Sequence, residues 1–530
     1  MRRLPIGIQD FKKIREGGHV YVDKTACIHR LINGSEGAFF LSRPRRFGKS
    51  LLCSTLGAIF ESKRELFREI AGFPALAIDS LDWNWKKYPV IKLSLNIGDY
   101  TKGIDVLNDS LESMLYNIAH GYNLELRGKF PPQQFSNLIF DMQRQCNERV
   151  VVIIDEYDKP LLDNIGNKEL HIEMRNALKG FYGILKQSDE HLRFVFFTGI
   201  TKFSHVSLFS DLNQLNDITL DQRFSDICGL TQGEVEKNFI PEIDGVVREK
   251  EINKNEYINQ LRDFYNGYRF SKKELTVYNP FGLLQHFDKS GDFISFWYET
   301  GTPTLLINLI SSRKINILNM TNMRVKSEDF KNYDIENMMA EPLLYQTGYL
   351  TITDYNAEDN MFTLDFPNYE VRSCFANSLL EHYLQSSDEK AGAMSSLLSQ
   401  SLQKGNVEEL INVLRQFLAS IPYDIIKETE NYYETAIHLI FSMLGFNCRS
   451  EVRIAYGRID TLVETKNFVY CFEFKLNGTA DEALAQIETK EYLLPWQGSE
   501  RKLFKIGIVF DCEKRNIGEW KYKLFKQGSK

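Results

Sequence analysis

The chain has 530 residues, enough for about three domains at roughly 100–200 residues each. Its 43% hydrophobic and 25% charged residues are an ordinary globular mixture with material for a large core. A formal net charge of -7 excludes the whole-chain basic field of a small duplex-binding module. The eight scattered cysteines form no C-x-x-C pair, which excludes zinc ribbons and thioredoxin-like redox chemistry and suits a reducing compartment. MRRLPIGIQDF lacks the apolar stretch of a signal peptide, and no window approaches ~18 uninterrupted apolar residues. The expectation is a cytoplasmic protein with no membrane span.

In chain order, the apolar run AFFLS (38–42) leads into RPRRFGKS and then into LLCSTLGAIF, which has helical periodicity. VIKLSL (90–95) alternates like a strand. VVVII (150–154) and LRFVFF (192–197) read as buried parallel strands by length and β-branched or aromatic content, ending at Asp155-Glu156 and Thr198-Gly199. Strands separated by helical stretches predict an α/β domain with a parallel sheet over 1–232. A mostly helical middle domain follows over 233–385, with a small hairpin in LTITDY and MFTLDFPN. Residues 386–420 read as a helical connector. The last domain, 421–530, reads as αβββαβ, closing in a basic tail taken as helical: Arg501 to Lys530 holds nine Lys/Arg against three Asp/Glu.

The order strand, loop, helix around GKS is what a phosphate-binding loop requires, because backbone N–H groups must converge on anionic oxygens at a helix N-terminus. Gly48 permits close approach, Lys49 brings a cation to the β- and γ-phosphates, and Ser50 offers a hydroxyl to Mg²⁺. Arg43 stands where the pattern G-x-x-x-x-G-K-[ST] has its first glycine, so the loop closes with a different backbone geometry. The candidate nucleotide contacts are Arg45, Arg46, Phe47, Gly48, Lys49, Ser50 and Leu51, with Asp155 holding Mg²⁺ through water and Thr198 sensing the γ-phosphate. Glu156 is the candidate for polarising the attacking water. Arg223 and Arg269 are both candidates for a γ-phosphate-sensing arginine, in cis or in trans. The aromatic residues of the middle domain, Tyr265, Tyr268, Phe270, Trp297 and Tyr298, read as core, since the whole chain is 13% aromatic.

RPRRFGKS, IIDEYDKP (153–160), TGITKFS (198–204), NGYRF (266–270), YNPF (278–281) and ETGTP (299–303) resemble the AAA-ATPase-like family found in many bacteria. The resemblance runs along nearly the whole chain. It implies an ATPase region followed by a PD-(D/E)XK nuclease-like domain, and in that family an arginine at the first glycine position is usual.

The C-terminal residues carry their own argument. Metal-assisted phosphodiester hydrolysis needs an acid at one strand end and an E-x-K on the next strand. Glu473 and Lys475 are two apart on a strand and so share a face with Val469 and Cys471, while Phe468, Tyr470, Phe472 and Phe474 line the other. Asp460, in GRID, falls on the neighbouring strand. Asp460 and Glu473 are the expected Mg²⁺ ligands, and Lys475 the group that steadies a hydroxide and the developing phosphorane charge. Glu434 on the preceding helix and Gln486 on the following one, with Tyr492 behind it, are further candidates; Glu451 is weaker, and His438 reads as a core or cap residue. The array resembles the PD-(D/E)XK nuclease superfamily residue by residue, except that Ile459 stands where a proline usually precedes the first acid.

Two function classes follow: an ATP-regulated, Mg²⁺-dependent nuclease acting on DNA rather than RNA, or a nucleotide-dependent switch or scaffold that binds nucleic acid or protein without cutting. A small-molecule P-loop kinase would leave the C-terminal carboxylates without a role. A homo-oligomer is compatible with either class.

Overall fold

The computed structural model describes residues 2–33, 37–202, 209, 215–296, 323–330, 340–375, 397–420, 437, 441, 447–454 and 457–525. By internal contacts the chain divides into two compact units. The first is Met1–Gly301 with Arg324–Asn368, the second Thr302–Met323 with Tyr369–Lys530.

The first unit is organised by a five-stranded parallel sheet: β1 (Gly37–Ser42), β2 (Val90–Ser94), β3 (Val150–Asp155), β4 (Leu192–Gly199) and β5 (Leu215–Asp217), in the order β2-β3-β4-β1-β5. β3 and β4 are buried along almost their whole length, which is why they read as continuous apolar runs rather than alternating ones. On one face Phe40, Val152, Ile154 and Phe197 pack against α4 (Ile104–Gly121), α5 (Pro131–Cys146) and α7 (Lys168–Gln187). On the other, the rings of Phe39, Phe194 and Phe60 stack beneath α3 (Lys49–Phe60). Short helices α1 (Phe11–Glu16), α2 (Thr25–Asn33) and α6 (Lys159–Leu162) complete this body.

Helices α8 (Gln232–Asn238), α9 (Ile240–Glu249), α10 (Lys254–Tyr265) and α11 (Pro280–Asp288) form a small bundle within the same unit. α8 begins with a full capping box, Thr231 and Glu234 satisfying each other's backbone amides. Its core is Phe239, Ile243, Tyr257, Leu261 and Phe287, joined by Val20 from the N-terminal segment. β6 (Leu230–Thr231), β7 (Tyr268–Arg269) and β8 (Thr276–Tyr278) pair as β6-β8-β7 beside it. NGYRF thus becomes the turn into β7: Gly267 has φ +105, and a Cβ there would sit 1.8 Å from Pro367 O, so no side chain fits. After β9 (Met323–Lys326) and α12 (Ala340–Thr347), the expected hairpin is present as β10 (Thr351–Asn356) and β11 (Met361–Asp365), and β9 adds to it on the β11 side.

The second unit holds α13 (Val407–Ser420) and a mixed sheet of β12 (Asn447–Ile454), β13 (Gly457–Glu464), β14 (Phe468–Lys475), β15 (Lys502–Asp511) and β16 (Asn516–Leu524), with α14 (Ala480–Thr489) between β14 and β15. β14 and β15 are parallel and the other neighbours antiparallel. The aromatic face of β14 continues through Phe504 and Phe510; the opposite face, Val469 and Cys471, packs with Leu484 and Ile487 of α14. One expectation is corrected here. The basic tail is not a helix: residues 516–524 form the edge strand β16. The sequence NIGEWKYKL alternates, with Trp520, Tyr522 and Leu524 facing one way and Glu519, Lys521 and Lys523 the other, a period of two that the charge run obscured. Lys521 pairs with Asp481 (2.5 Å) and Lys523 with Glu488 (3.6 Å), so part of the positive charge is neutralised by α14.

Candidate functional site

At the end of β1 the chain turns through Arg43–Phe47 and enters α3 at Gly48, whose φ of +88 makes it the left-handed residue that aims the first amides of the helix into the cleft. The cleft has a volume of about 420 Å³ and a polar floor of Lys49, Ser50, Glu156 and Asp158. Arg45, Arg46 and Leu51 lie on its walls.

Asp155 closes β3 near Ser50, whose hydroxyl favours its charged form, and Asp155 Oδ1 accepts from the Glu156 amide at 3.0 Å. A hydroxyl and a carboxylate held together at the mouth of a phosphate loop are the donor set a Mg²⁺ ion takes. Burial raises the pKa of Asp155, opposed by Ser50 and Lys49. Glu156 stands in the left-handed region at φ 53, costly for a residue that carries a Cβ, and its carboxyl pKa is raised by burial and then by Asp155. Lys49 Nζ donates to Arg43 O and Pro44 O, each at 2.9 Å; burial lowers its pKa against the pull of Asp155, Asp158 and Glu156.

Three expectations are corrected, and a fourth, Arg223, is corrected for action in cis. Phe47 does not face the cleft; its ring packs edge-on against Tyr268 (4.8 Å) and Phe270 (5.3 Å), so only its backbone belongs to the loop. Thr198 sits on β4 between Leu41 and Asp155, but it is 0% exposed and its hydroxyl donates to Leu41 O at 2.9 Å; it borders no part of the cleft. Arg269 is buried and donates to the carbonyls of Ser271, Lys272 and Thr353. Arg223 lies on the surface and pairs with Asp221 at 2.6 Å. Neither arginine lines the cleft.

Arg43, the residue in place of glycine, is a brace. It is 1% exposed, donates to Ser42 O (2.8 Å), Thr219 O (2.9 Å) and Phe224 O (3.1 Å), and lies 4.3 Å over the Phe270 ring. Sequence reasoning also missed several cleft residues. Asp158 is fully buried, and its Oδ2 accepts from Ile200 N (3.0 Å), Thr201 N (2.6 Å) and Thr201 Oγ1 (2.7 Å), pinning the turn after β4. Pro5, Gly7, Ile8 and Gln9, and Phe281, come from segments far apart in sequence; the motif YNPF was the available signal, since Asn279 caps α11 and presents Phe281 beneath the Arg46 guanidinium at 4.6 Å.

In the second unit, β13 and β14 bring Asp460 and Glu473 together. Asp460 Oδ2 accepts from Phe474 N at 2.8 Å, and Glu473 Oε1 accepts from Lys475 Nζ at 2.9 Å. Glu473 is 1% exposed and its Oε2 is buried without a donor. Burial, then the charge of Asp460, pushes its pKa up to about 7 against the pull of Lys475. An orphaned carboxylate oxygen beside a second carboxylate fits a hard divalent cation, which removes the penalty of both. Among the described residues no group of three or more acidic, His or Cys side chains forms a metal cluster. Gln486, on α14, donates to Tyr492 OH at 3.2 Å, and the Tyr492 phenol feels both Glu473 and Asp460. Glu434 and His438, like Trp297 and Tyr298, lie outside the described residues, as does the side chain of Glu451. No described helix is long and apolar enough to cross a membrane.

The family model for a predicted AAA-ATPase matches residues 5–209, and that of the PD-(D/E)XK nuclease superfamily matches 428–520. Over 528 residues the chain is 35% identical to an uncharacterized protein in the vnfD 5' region of Azotobacter chroococcum mcd 1, covering 97% of this chain and 98% of that one. The chain therefore belongs to the predicted AAA-ATPase family, with a PD-(D/E)XK nuclease superfamily domain at its C-terminal end.

Proposed function

We propose that the protein binds and hydrolyses ATP·Mg²⁺ in the first unit and that this turnover regulates Mg²⁺-dependent cleavage of DNA by the second. The observation that carries the first half is the convergence of Lys49, Ser50 and Glu156 on one cleft, with Asp155 buried at the end of β3 just behind it. The α3 amides and Lys49 would hold the β- and γ-phosphates, Ser50 and Asp155 the metal, and Glu156 a water in line with the γ-phosphorus. Bound Mg²⁺ supplies charge neutralisation between the phosphates. The second half rests on Asp460, Glu473 and Lys475, where two carboxylates fit the cation and the lysine ammonium is held 2.9 Å from one of them. Lys475 would stabilise negative charge on the attacked phosphate.

The test is incubation of purified protein with plasmid and single-stranded DNA, with and without Mg²⁺ and ATP, beside Glu473→Ala. Metal-dependent cutting that disappears in the variant while ATP turnover persists supports the reading, and its dependence on ATP reports the regulation. ATP turnover with no cutting under any condition transfers the reading to a nucleotide-dependent switch.

A further inference from the structure

Among the described residues, the cations that line the phosphate cleft are Arg45, Arg46, Lys49 and Lys159. The first three belong to the loop and to the first turn of α3. Lys159, from the motif IIDEYDKP, opens α6 on the stretch of wall that carries Glu156 and Asp158. Its backbone N–H donates to Glu156 O at 3.1 Å, so the two residues lie one turn apart. Its ammonium is held by the Asp163 carboxylate at 2.7 and 3.0 Å, and the two side chains are 27% and 22% exposed. Asp163 also lines the cleft, which makes the ion pair part of its surface. The backbone beneath the pair is fixed. Asn164 is buried, and its side-chain amide donates to Tyr100 O (3.1 Å) and Pro160 O (2.9 Å). The partner of the ammonium can therefore change while the stem of Lys159 stays in place.

We propose that Lys159 contacts the γ-phosphate, passing from Asp163 to the phosphate when a triphosphate binds, so that this ion pair distinguishes ATP from ADP. The proposal rests on the reading of the cleft as an ATP site with Glu156 beside the γ-phosphorus. A residue one turn from Glu156 then stands at the γ-end of the cleft. The two arginines considered as γ-phosphate sensors do not reach it: Arg269 is spent on backbone carbonyls and Arg223 pairs with Asp221 on the surface. A lysine suits the exchange, because its ammonium is a compact charge with three donors on a flexible stem. The γ-phosphate offers more negative charge and more acceptor oxygens than the one carboxylate it replaces. Partial burial leaves the ammonium incompletely screened, so it exchanges one anion for another rather than standing alone in the cleft. ADP ends at the β-phosphate and leaves Lys159 with Asp163.

The experiment titrates the full-length protein with Mg²⁺ and either ADP or the non-hydrolysable β,γ-imido analogue of ATP, by calorimetry, and reads the ratio of triphosphate to diphosphate affinity. Lys159→Met should lower that ratio about tenfold, the loss of one hydrogen bond between charged groups. Asp163→Asn releases the ammonium and should raise the ratio about threefold, the worth of a partly exposed ion pair. A pair that only staples α6 behaves differently, since both substitutions break it and move the ratio alike or not at all. A lowered ratio in Lys159→Met beside a ratio at or above wild type in Asp163→Asn supports the proposal. A wild-type ratio in Lys159→Met, or a lowered one in Asp163→Asn, overturns it. Should Lys159→Met lose ADP binding as well, Asp163→Asn decides alone: a raised ratio supports the proposal and any other overturns it. A wild-type protein that binds neither nucleotide refutes the phosphate-loop reading itself, and this proposal with it.

Discussion

Replacing Arg43 by glycine would make the loop match the usual G-x-x-x-x-G-K-[ST] pattern, and a comparison of motifs alone expects such a change to be harmless or helpful. The structure predicts the opposite. The guanidinium donates to three backbone carbonyls, those of Ser42, Thr219 and Phe224, and covers the Phe270 ring at 4.3 Å, all away from solvent. Each neutral–charged hydrogen bond contributes about 1.5 kcal/mol, and the abandoned carbonyls have no water to turn to, so the loss is on the order of 4 kcal/mol before any void is counted. Against this, burial itself already strains the cation, lowering the Arg43 pKa, and glycine relieves that cost. The balance we expect is a loss of about 3 kcal/mol, seen as an earlier urea unfolding midpoint for the first unit, with weaker ATP binding because Lys49 hangs on the carbonyls of Arg43 and Pro44. Arg43→Lys, which keeps charge but not the fork, should recover little. An R43G protein with the wild-type midpoint and equal or faster ATP turnover would refute the reasoning.

Three further outcomes follow from the geometry. Glu156→Gln should reduce ATP turnover by about a hundredfold or more while leaving ATP affinity within a few-fold, measured by single-turnover kinetics and calorimetry; an unchanged rate removes Glu156 from the chemistry. Thr198→Val, which loses only a hydroxyl bonded to Leu41 O, should cost about 1 kcal/mol of stability without altering turnover, and a collapse of turnover would restore Thr198 as a sensor. Glu473 has its pKa raised from 4.5 to about 7, so in the metal-free protein it holds a proton that the unfolded chain has already released; its contribution to stability falls as pH rises between those values. Mg²⁺ must displace that proton, so its affinity for the second unit should rise about tenfold per pH unit up to about pH 7 and then level off. Calorimetry from pH 5.5 to 8 on wild type and Glu473→Gln checks this, and a flat profile in wild type contradicts it.

Residues within one element or one local motif were legible before any coordinates. β3 and β4 show themselves as continuous apolar runs because a parallel sheet covered on both faces leaves no polar side to encode. Gly48, Lys49 and Ser50 are contiguous, and Glu473 and Lys475 share a strand face, so spacing alone places them side by side. The strand order is different: placing β4 between β1 and β3 is a matter of crossovers, and it is what sets Thr198 between Leu41 and Asp155 and hides its hydroxyl from the cleft. Direction was also beyond the sequence. Nothing in RPRRFGKS tells Arg43 and Phe47, which turn into the core, from Arg46, which turns to the cleft; that depends on Phe270, Tyr268 and Phe281, more than two hundred residues on. Gly7, Ile8 and Gln9, Asp158 and Phe281 likewise meet only because the N-terminal segment and α11 fold over the same loop. Local chemistry is written in adjacent residues and their period, whereas the choice of which side chains face the ligand is made by long-range packing, whose partners the chain brings together only on folding.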